Sequence, residues 1–161
     1  TDVAELAAKA VEFYLPAAEL KGHTLAFRDG GPVWARCDPV LLAQAINNLV
    51  DNSLKFAAAG GHIDVEVARA GDDAVAVVVA DDGPGIPEAD RPKAAQRFFR
   101  GDASRGTPGV GLGLALVEAI AKLHGGSLTL SDNHPGLRAR MLIERGVAAV
   151  TEAPAALEAA Q

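Results

Sequence analysis

Apolar positions along the chain repeat either every third to fourth residue or every second one, and the two periods mark out its elements. Residues 2–15 place Val3, Leu6, Ala7, Ala10, Val11 and Tyr14 near one face of a helix, with Pro16 ending the main run. A longer helix follows Asp38-Pro39, where Asp can cap free amides and Pro suits the first helical position. Leu41, Leu42, Ala45, Ile46, Leu49, Val50 and Leu54 carry its helical period to about Phe56. Gly111 to Leu123 reads as a third helix, with Leu112, Leu116, Val117, Ile120 and Leu123 on its apolar side.

Strand candidates lie between these helices. Thr24–Arg28 and Val33–Arg36 flank the turn Asp29-Gly30-Gly31, and Ile63, Val65 and Val67 alternate with Asp64, Glu66 and Ala68. Val75–Ala80 is apolar almost throughout, the mark of an interior strand, and Ser127–Leu130 with Arg138–Ile143 reads as a closing hairpin. These elements predict a two-layer α/β sandwich. A mixed, mostly antiparallel sheet of about five strands packs against three helices on one face. Pro87 to Pro108 is polar and Arg-rich, with no steady period beyond a short helical stretch at Lys93–Phe99, and its length marks a functional loop.

Composition narrows the class. With 161 residues and 49% hydrophobic content, the chain is one domain able to bury a core, and aromatics at 4% leave that core to small aliphatic side chains. A net charge of −6 with interspersed signs gives no bulk attraction for nucleic acid or anionic lipid. The single cysteine, Cys37, excludes an intrachain disulfide and a Cys-rich metal site, and fits a reducing compartment. No signal peptide is evident, and the longest apolar run, Ala74 to Ala80, is too short to span a bilayer. The chain starts without Met inside a helical pattern, as a piece of a longer protein would.

Three groups of residues could carry chemistry. Asn48, Asn52 and Lys55 fall on one line of the long helix. They are either solvated surface or a site in which amide oxygen meets a hard cation and Lys55 meets phosphate. Asp81, Gly83 and Gly85 end the interior strand; they form a turn, or they bring backbone and carboxylate close to a flat ligand bearing an amine. Gly109-Val110-Gly111-Leu112-Gly113-Leu114 leads a long loop into a helix N-terminus, a place favourable for phosphate. It is not a dinucleotide fingerprint, since Leu114 replaces the third Gly and no strand precedes it, and the chain has no P-loop. Arg91, Lys93, Arg97, Arg100 and Arg105 are either solvated surface charge or, together, the local basic patch that an acidic chain needs to hold a triphosphate.

Taken in order, these segments resemble the motifs of the catalytic, ATP-binding domain of sensor histidine kinases. Asn48 to Phe56 resembles the N box, Asp81 to Pro87 the first glycine box, Arg97 to Arg105 the F box region, and Gly109 to Leu114 the second glycine box. His124-Gly125-Gly126 matches the usual exit from the last helix, and the likeness spans about Thr1 to Arg145. The wider superfamily takes in DNA gyrase, the Hsp90 chaperones and the MutL repair proteins.

The resemblance implies ATP and Mg²⁺ as ligands, with Asn52 and Asn48 at the metal, Lys55 at phosphate, Phe56 near the base and Asp81 on the adenine amine. Gly83, Gly85, Ile86, Gly109, Val110, Gly111, Leu112, Gly113 and Leu114 would shape the pocket, and Arg97 or Arg100 would steady the γ-phosphate. It implies a mobile ATP lid at about 91–108. Residues 1–15 would be the end of a preceding dimerisation or linker helix, 16–146 the catalytic domain and 147–161 a disordered tail. None of His23, His62, His124 or His134 is followed by an acidic residue in a helical hairpin, so the phosphoacceptor histidine is expected in a separate dimerisation domain. The implied protein is a cytoplasmic histidine kinase piece whose parent could be anchored in the inner membrane. It would be monomeric by itself, without direct contact with nucleic acid or membrane, and would serve a response regulator through that domain. Ala95, where the family carries an aromatic, leaves open an alternative: a nucleotide-gated binding module with degenerate kinase activity.

Overall fold

The computed structural model describes residues 1–94 and 113–146. Helices α1 (Val3–Leu20), α2 (Pro39–Phe56), α3 (Arg91–Ala94) and α4 (Gly113–Leu123) accompany strands β1 (Thr24–Arg28), β2 (His62–Ala70), β3 (Ala74–Asp81), β4 (Ser127–Asp132) and β5 (Leu137–Glu144). The sheet has the order β1-β2-β3-β5-β4, with β1 parallel to β2 and every other pair antiparallel. The parallel pair follows from its connection, because α2 carries the chain back across the sheet between β1 and β2.

Three helices cover one face: α1 lies over β1 and β2, α2 over β3, and α4 over β4 and β5, with α2 touching both of the others. The core between the layers holds Leu42, Ile46, Leu49 and Val50 of α2, the alternate residues Ile63, Val65, Val75 and Val77, and Val117, Ile120, Met141 and Ile143. On the open face of β3, Ala76, Val78 and Ala80 are also buried, although they stand outside that core. The register sets Glu66 and Arg140 on either side of Val78, and Asp64 and Arg138 on either side of Ala80. Long side chains flanking small ones shield the middle strand from water, which is why β3 reads as apolar on both faces.

The start of α2 is capped as its sequence implies. Asp38 accepts hydrogen bonds from the amides of Val40 and Leu41, with Pro39 beginning the helix. Asp2 accepts from Ala4 and also from Val33.

Two expectations are corrected. The first helix does not end at Pro16 but continues to Leu20. Pro16 is exposed, so the carbonyl it leaves without a helical donor is on the solvent side, while Ala18 beyond it is buried and the Lys21 ammonium donates to the Leu54 carbonyl of α2. Residues 1–15 accordingly pack into the same core as the rest, with Val3 and Ala7 fully buried. The second correction concerns Val33–Arg36, which adds no strand to the sheet. Trp34 instead bridges to Asp2, and the Ala35 amide donates to the Thr1 carbonyl.

Candidate functional site

The site is built where β3 ends against the last turns of α2. The Asp81 side chain is 2% exposed, yet its carboxylate is well supplied with donors. Oδ1 accepts from the amides of Gly83 at 2.9 Å and Leu137 at 3.3 Å, and Oδ2 accepts from the Ser53 hydroxyl at 3.1 Å. A carboxylate offers about four acceptor positions, so among the described residues three are used and one, on Oδ2, remains. Asn133 fastens the same strand end from behind, its side-chain amide donating to the Asp81 carbonyl at 2.8 Å.

The glycines after Asp81 fit the chain against itself. A Cβ on Gly83 would lie 2.1 Å from the Phe56 carbonyl oxygen, and one on Gly85, which has φ +71°, would lie 2.8 Å from the carbonyl oxygen of Gly136. What glycine permits at both places is close approach to the end of α2 and to the β4–β5 turn. The flat-ligand approach expected from sequence is a separate matter from these contacts. Asp82 turns away from the site, and its Oδ2 accepts from the His62 amide at 2.9 Å to hold the start of β2.

Asn48 and Asn52 are half-buried at the edge of the apolar stripe of α2, and Lys55 is exposed and ion-paired with Asp51 at 3.0 Å. Phe56 ends the helix, half-buried, and Ile86 packs against the core from the far side of the Asp81 turn. Gly113 opens α4, but Leu114 is 9% exposed and belongs to the core. Arg97, Arg100, Gly109, Val110, Gly111 and Leu112 lie outside the described residues, as do Ala95 and most of the expected lid. Among the described residues no three His, Cys, Asp or Glu side chains gather as a metal site.

Sequence reasoning missed Ser53 and Asn133. Ser53 carried a usable signal, because a hydroxyl on the buried stripe of an amphipathic helix needs a partner. His124 also does more than mark a helix exit. Its Nδ1 lies 2.8 Å from the Ile120 carbonyl and its Nε2 accepts from the Asp38 amide at 3.0 Å, tying the end of α4 to the cap of α2. His23 is half-buried, with an Nδ1 sealed from solvent.

Burial raises the Cys37 thiol pKa above its ordinary value, outweighing the lowering effects of Thr1 and the N-terminal charge. Burial likewise raises the Tyr14 phenol, with the neighbouring Asp51 charge adding to it. None of the described helices is long and apolar enough to cross a membrane.

Comparison with known proteins agrees with this fold. Residues 37–147 match the family of histidine kinase-, DNA gyrase B- and HSP90-like ATPases. The signal transduction histidine-protein kinase/phosphatase MprB of Mycobacterium sp. (strain KMS) is 43% identical over 99 residues, 62% of this chain and 19% of that protein. The Mycobacterium leprae (strain TN) MprB is 40% identical over 101 residues, 63% of this chain and 20% of its own length. The chain thus spans about a fifth of the curated relatives it matches. Among solved structures, the mycobacterial sensor histidine kinase MprB superposes with TM-score 0.80 at 27% identity, covering 89% of this chain and 96% of the other. Full-length ShkA in complex with AMPPNP superposes with TM-score 0.75 at 27% identity, covering 90% of this chain and 30% of that one. With its sheet order, its helical layer and the matched residues taken together, the chain belongs to the family of histidine kinase-, DNA gyrase B- and HSP90-like ATPases and is a catalytic ATP-binding domain homologous to those of histidine kinases.

Proposed function

We propose that this chain is the part of a two-component sensor histidine kinase that binds Mg-ATP and transfers the γ-phosphoryl group to a histidine on a separate dimerisation domain. The observation that carries the reading is the Asp81 carboxylate. It is buried and held by donors from three segments, with one acceptor position left to take a hydrogen from an exocyclic amine such as that of adenine.

The residues present fit the nucleotide. Phe56 offers an aromatic ring at the end of α2, next to the turn that carries Asp81, and Gly83, Gly85 and Ile86 form the wall beyond it. Gly113 and Leu114, at the start of α4, would border the phosphates. Asn52, supported by Asn48, would hold Mg²⁺ through amide oxygens, and Lys55 would exchange its Asp51 partner for phosphate. Magnesium-ATP, when bound, supplies the transferable phosphoryl group. The chain's own contribution is to bind the base, orient the phosphates and neutralise charge, which is most of what phosphoryl transfer asks of a protein. The AMPPNP complex of ShkA, at 27% identity, supports the nucleotide assignment.

That the chain spans only about a fifth of its relatives' length supports an acceptor histidine on another domain. None of its four histidines is followed by an acidic residue in a helical hairpin, and His124 holds the cap of α2. The partners are then that dimerisation domain and, through it, a response regulator, in the cytoplasm.

Calorimetric titration with a non-hydrolysable ATP analogue, with and without Mg²⁺, tests the binding. Adding a purified histidine-bearing dimerisation domain from an MprB relative with labelled Mg-ATP tests the transfer. Magnesium-dependent binding and an acid-labile phosphohistidine are expected. Absence of the phosphohistidine with a folded, cognate domain overturns the kinase assignment, and steady ATP turnover by the chain alone favours the gyrase or chaperone branch instead.

A further inference from the structure

We infer that Ser53 is a positioning residue that sets selectivity between purine bases by committing one side of Asp81 Oδ2. The inference rests on the reading that Asp81 receives the base. Ser53 is 3% exposed and stands on the α2 stripe formed by Leu42, Ala45, Ile46, Leu49 and Val50, where an alanine would suit both helix and core. A lone hydroxyl in such a place is costly unless it is bonded, and its partner is Asp81 Oδ2 at 3.1 Å.

The consequence follows from counting hydrogens. Oδ1 is saturated by the amides of Gly83 and Leu137, and Oδ2 has one lone pair beyond the one Ser53 occupies. That lone pair suits an amine hydrogen. A ring carbonyl in the same place would meet carboxylate oxygen and be repelled. The Ser53 hydroxyl cannot relieve this, because it has one hydrogen and Asp81 already holds it. Replacing Ser53 by Ala leaves room and an unsatisfied oxygen for a water. A water has two hydrogens, so it can donate one to Asp81 and the other to a carbonyl-bearing base. The loss of Ser53 therefore weakens adenine binding and relaxes discrimination against guanine together.

The test is titration of the full 161-residue chain with non-hydrolysable ATP and GTP analogues in the presence of Mg²⁺, for the parent, Ser53→Ala, Ser53→Thr and Asp81→Asn. For Ser53→Ala the ATP-to-GTP affinity ratio should fall roughly five- to tenfold, the equivalent of one hydrogen bond, with ATP affinity accounting for most of the change. Ser53→Thr, which keeps the hydroxyl, should retain more of the ratio than Ser53→Ala. A purely structural role would lower both affinities in proportion and leave the ratio alone, and that result overturns the inference. If Asp81→Asn abolishes the preference while Ser53→Ala preserves it, the inference fails and the reading of Asp81 stands. If the folded parent binds both analogues equally, or neither, both are overturned.

Discussion

The position a Cβ would take on Gly83 lies 2.1 Å from the Phe56 carbonyl oxygen, so the turn after Asp81 rests directly on the end of α2. Because the obstacle is backbone, no side-chain rotation relieves it. Gly83→Ala should therefore destabilise the chain by about 1–3 kcal/mol, a typical cost for overpacking. It should also weaken nucleotide binding by moving the Asp81 turn. Urea unfolding of the variant checks the first effect and calorimetry the second; unchanged stability would mean that the turn gives way freely.

Asp81→Asn should separate folding from binding. An Asn oxygen can take the place of Oδ1 and accept from Gly83 and Leu137, while its NH₂ replaces Oδ2 and donates to the Ser53 hydroxyl, which can reverse its role. The fold should survive, but the position facing the base becomes a donor opposed to the adenine amine. ATP affinity should fall by about tenfold or more, the scale of an unpaired buried polar group. Near-parent affinity in a folded variant would remove Asp81 from the base site.

Asn52→Ala should leave stability unchanged or raise it by several tenths of a kcal/mol, since Ala is the better helix former and Asn52 is only half-buried. Magnesium-dependent binding of the ATP analogue should be lost. Equal affinities for parent and variant in the presence of Mg²⁺ would refute the metal role.

His124→Phe removes the acceptor of the Asp38 amide and the ring nitrogen beside the Ile120 carbonyl, while keeping an aromatic ring. A loss of roughly 0.5–1.5 kcal/mol, the net worth of a typical hydrogen bond, is expected, because the exposed Asp38 amide can turn to water. Thermal unfolding measures it, and His124→Gln, which can place an acceptor near the same amide, should recover part of the loss.

Cys37 should label slowly. Its thiol pKa is raised chiefly by burial, so at a given pH less thiolate is present than for a free cysteine. The rate of alkylation against pH should rise at higher pH than for a short unstructured cysteine peptide, and an onset below that of the peptide would contradict the burial argument.

The parts of this protein legible in its sequence are those written in local periods. The helix of Pro39–Phe56 follows from apolar spacing and the Asp38-Pro39 start, and Asp81 stands out because a long apolar run ends abruptly in two acids and a glycine. Val33–Arg36 misled because alternation marks extended chain without saying what pairs with it, and here the partner is the start of α1. Pro16 misled because a proline's local penalty of about 3 kcal/mol can be offset by packing that lies elsewhere.

By itself, then, the sequence determined the helical and extended segments, the caps, the apolar faces and the family motifs, because each depends on residues within a turn or two of one another. Tertiary structure alone decided that Ser53 meets Asp81 from 28 positions away, Asn133 from 52 and Leu137 from 56. Those meetings arise where the helical layer lies over the end of β3 and the β4–β5 turn closes behind it. No local period encodes how two layers come to rest on each other.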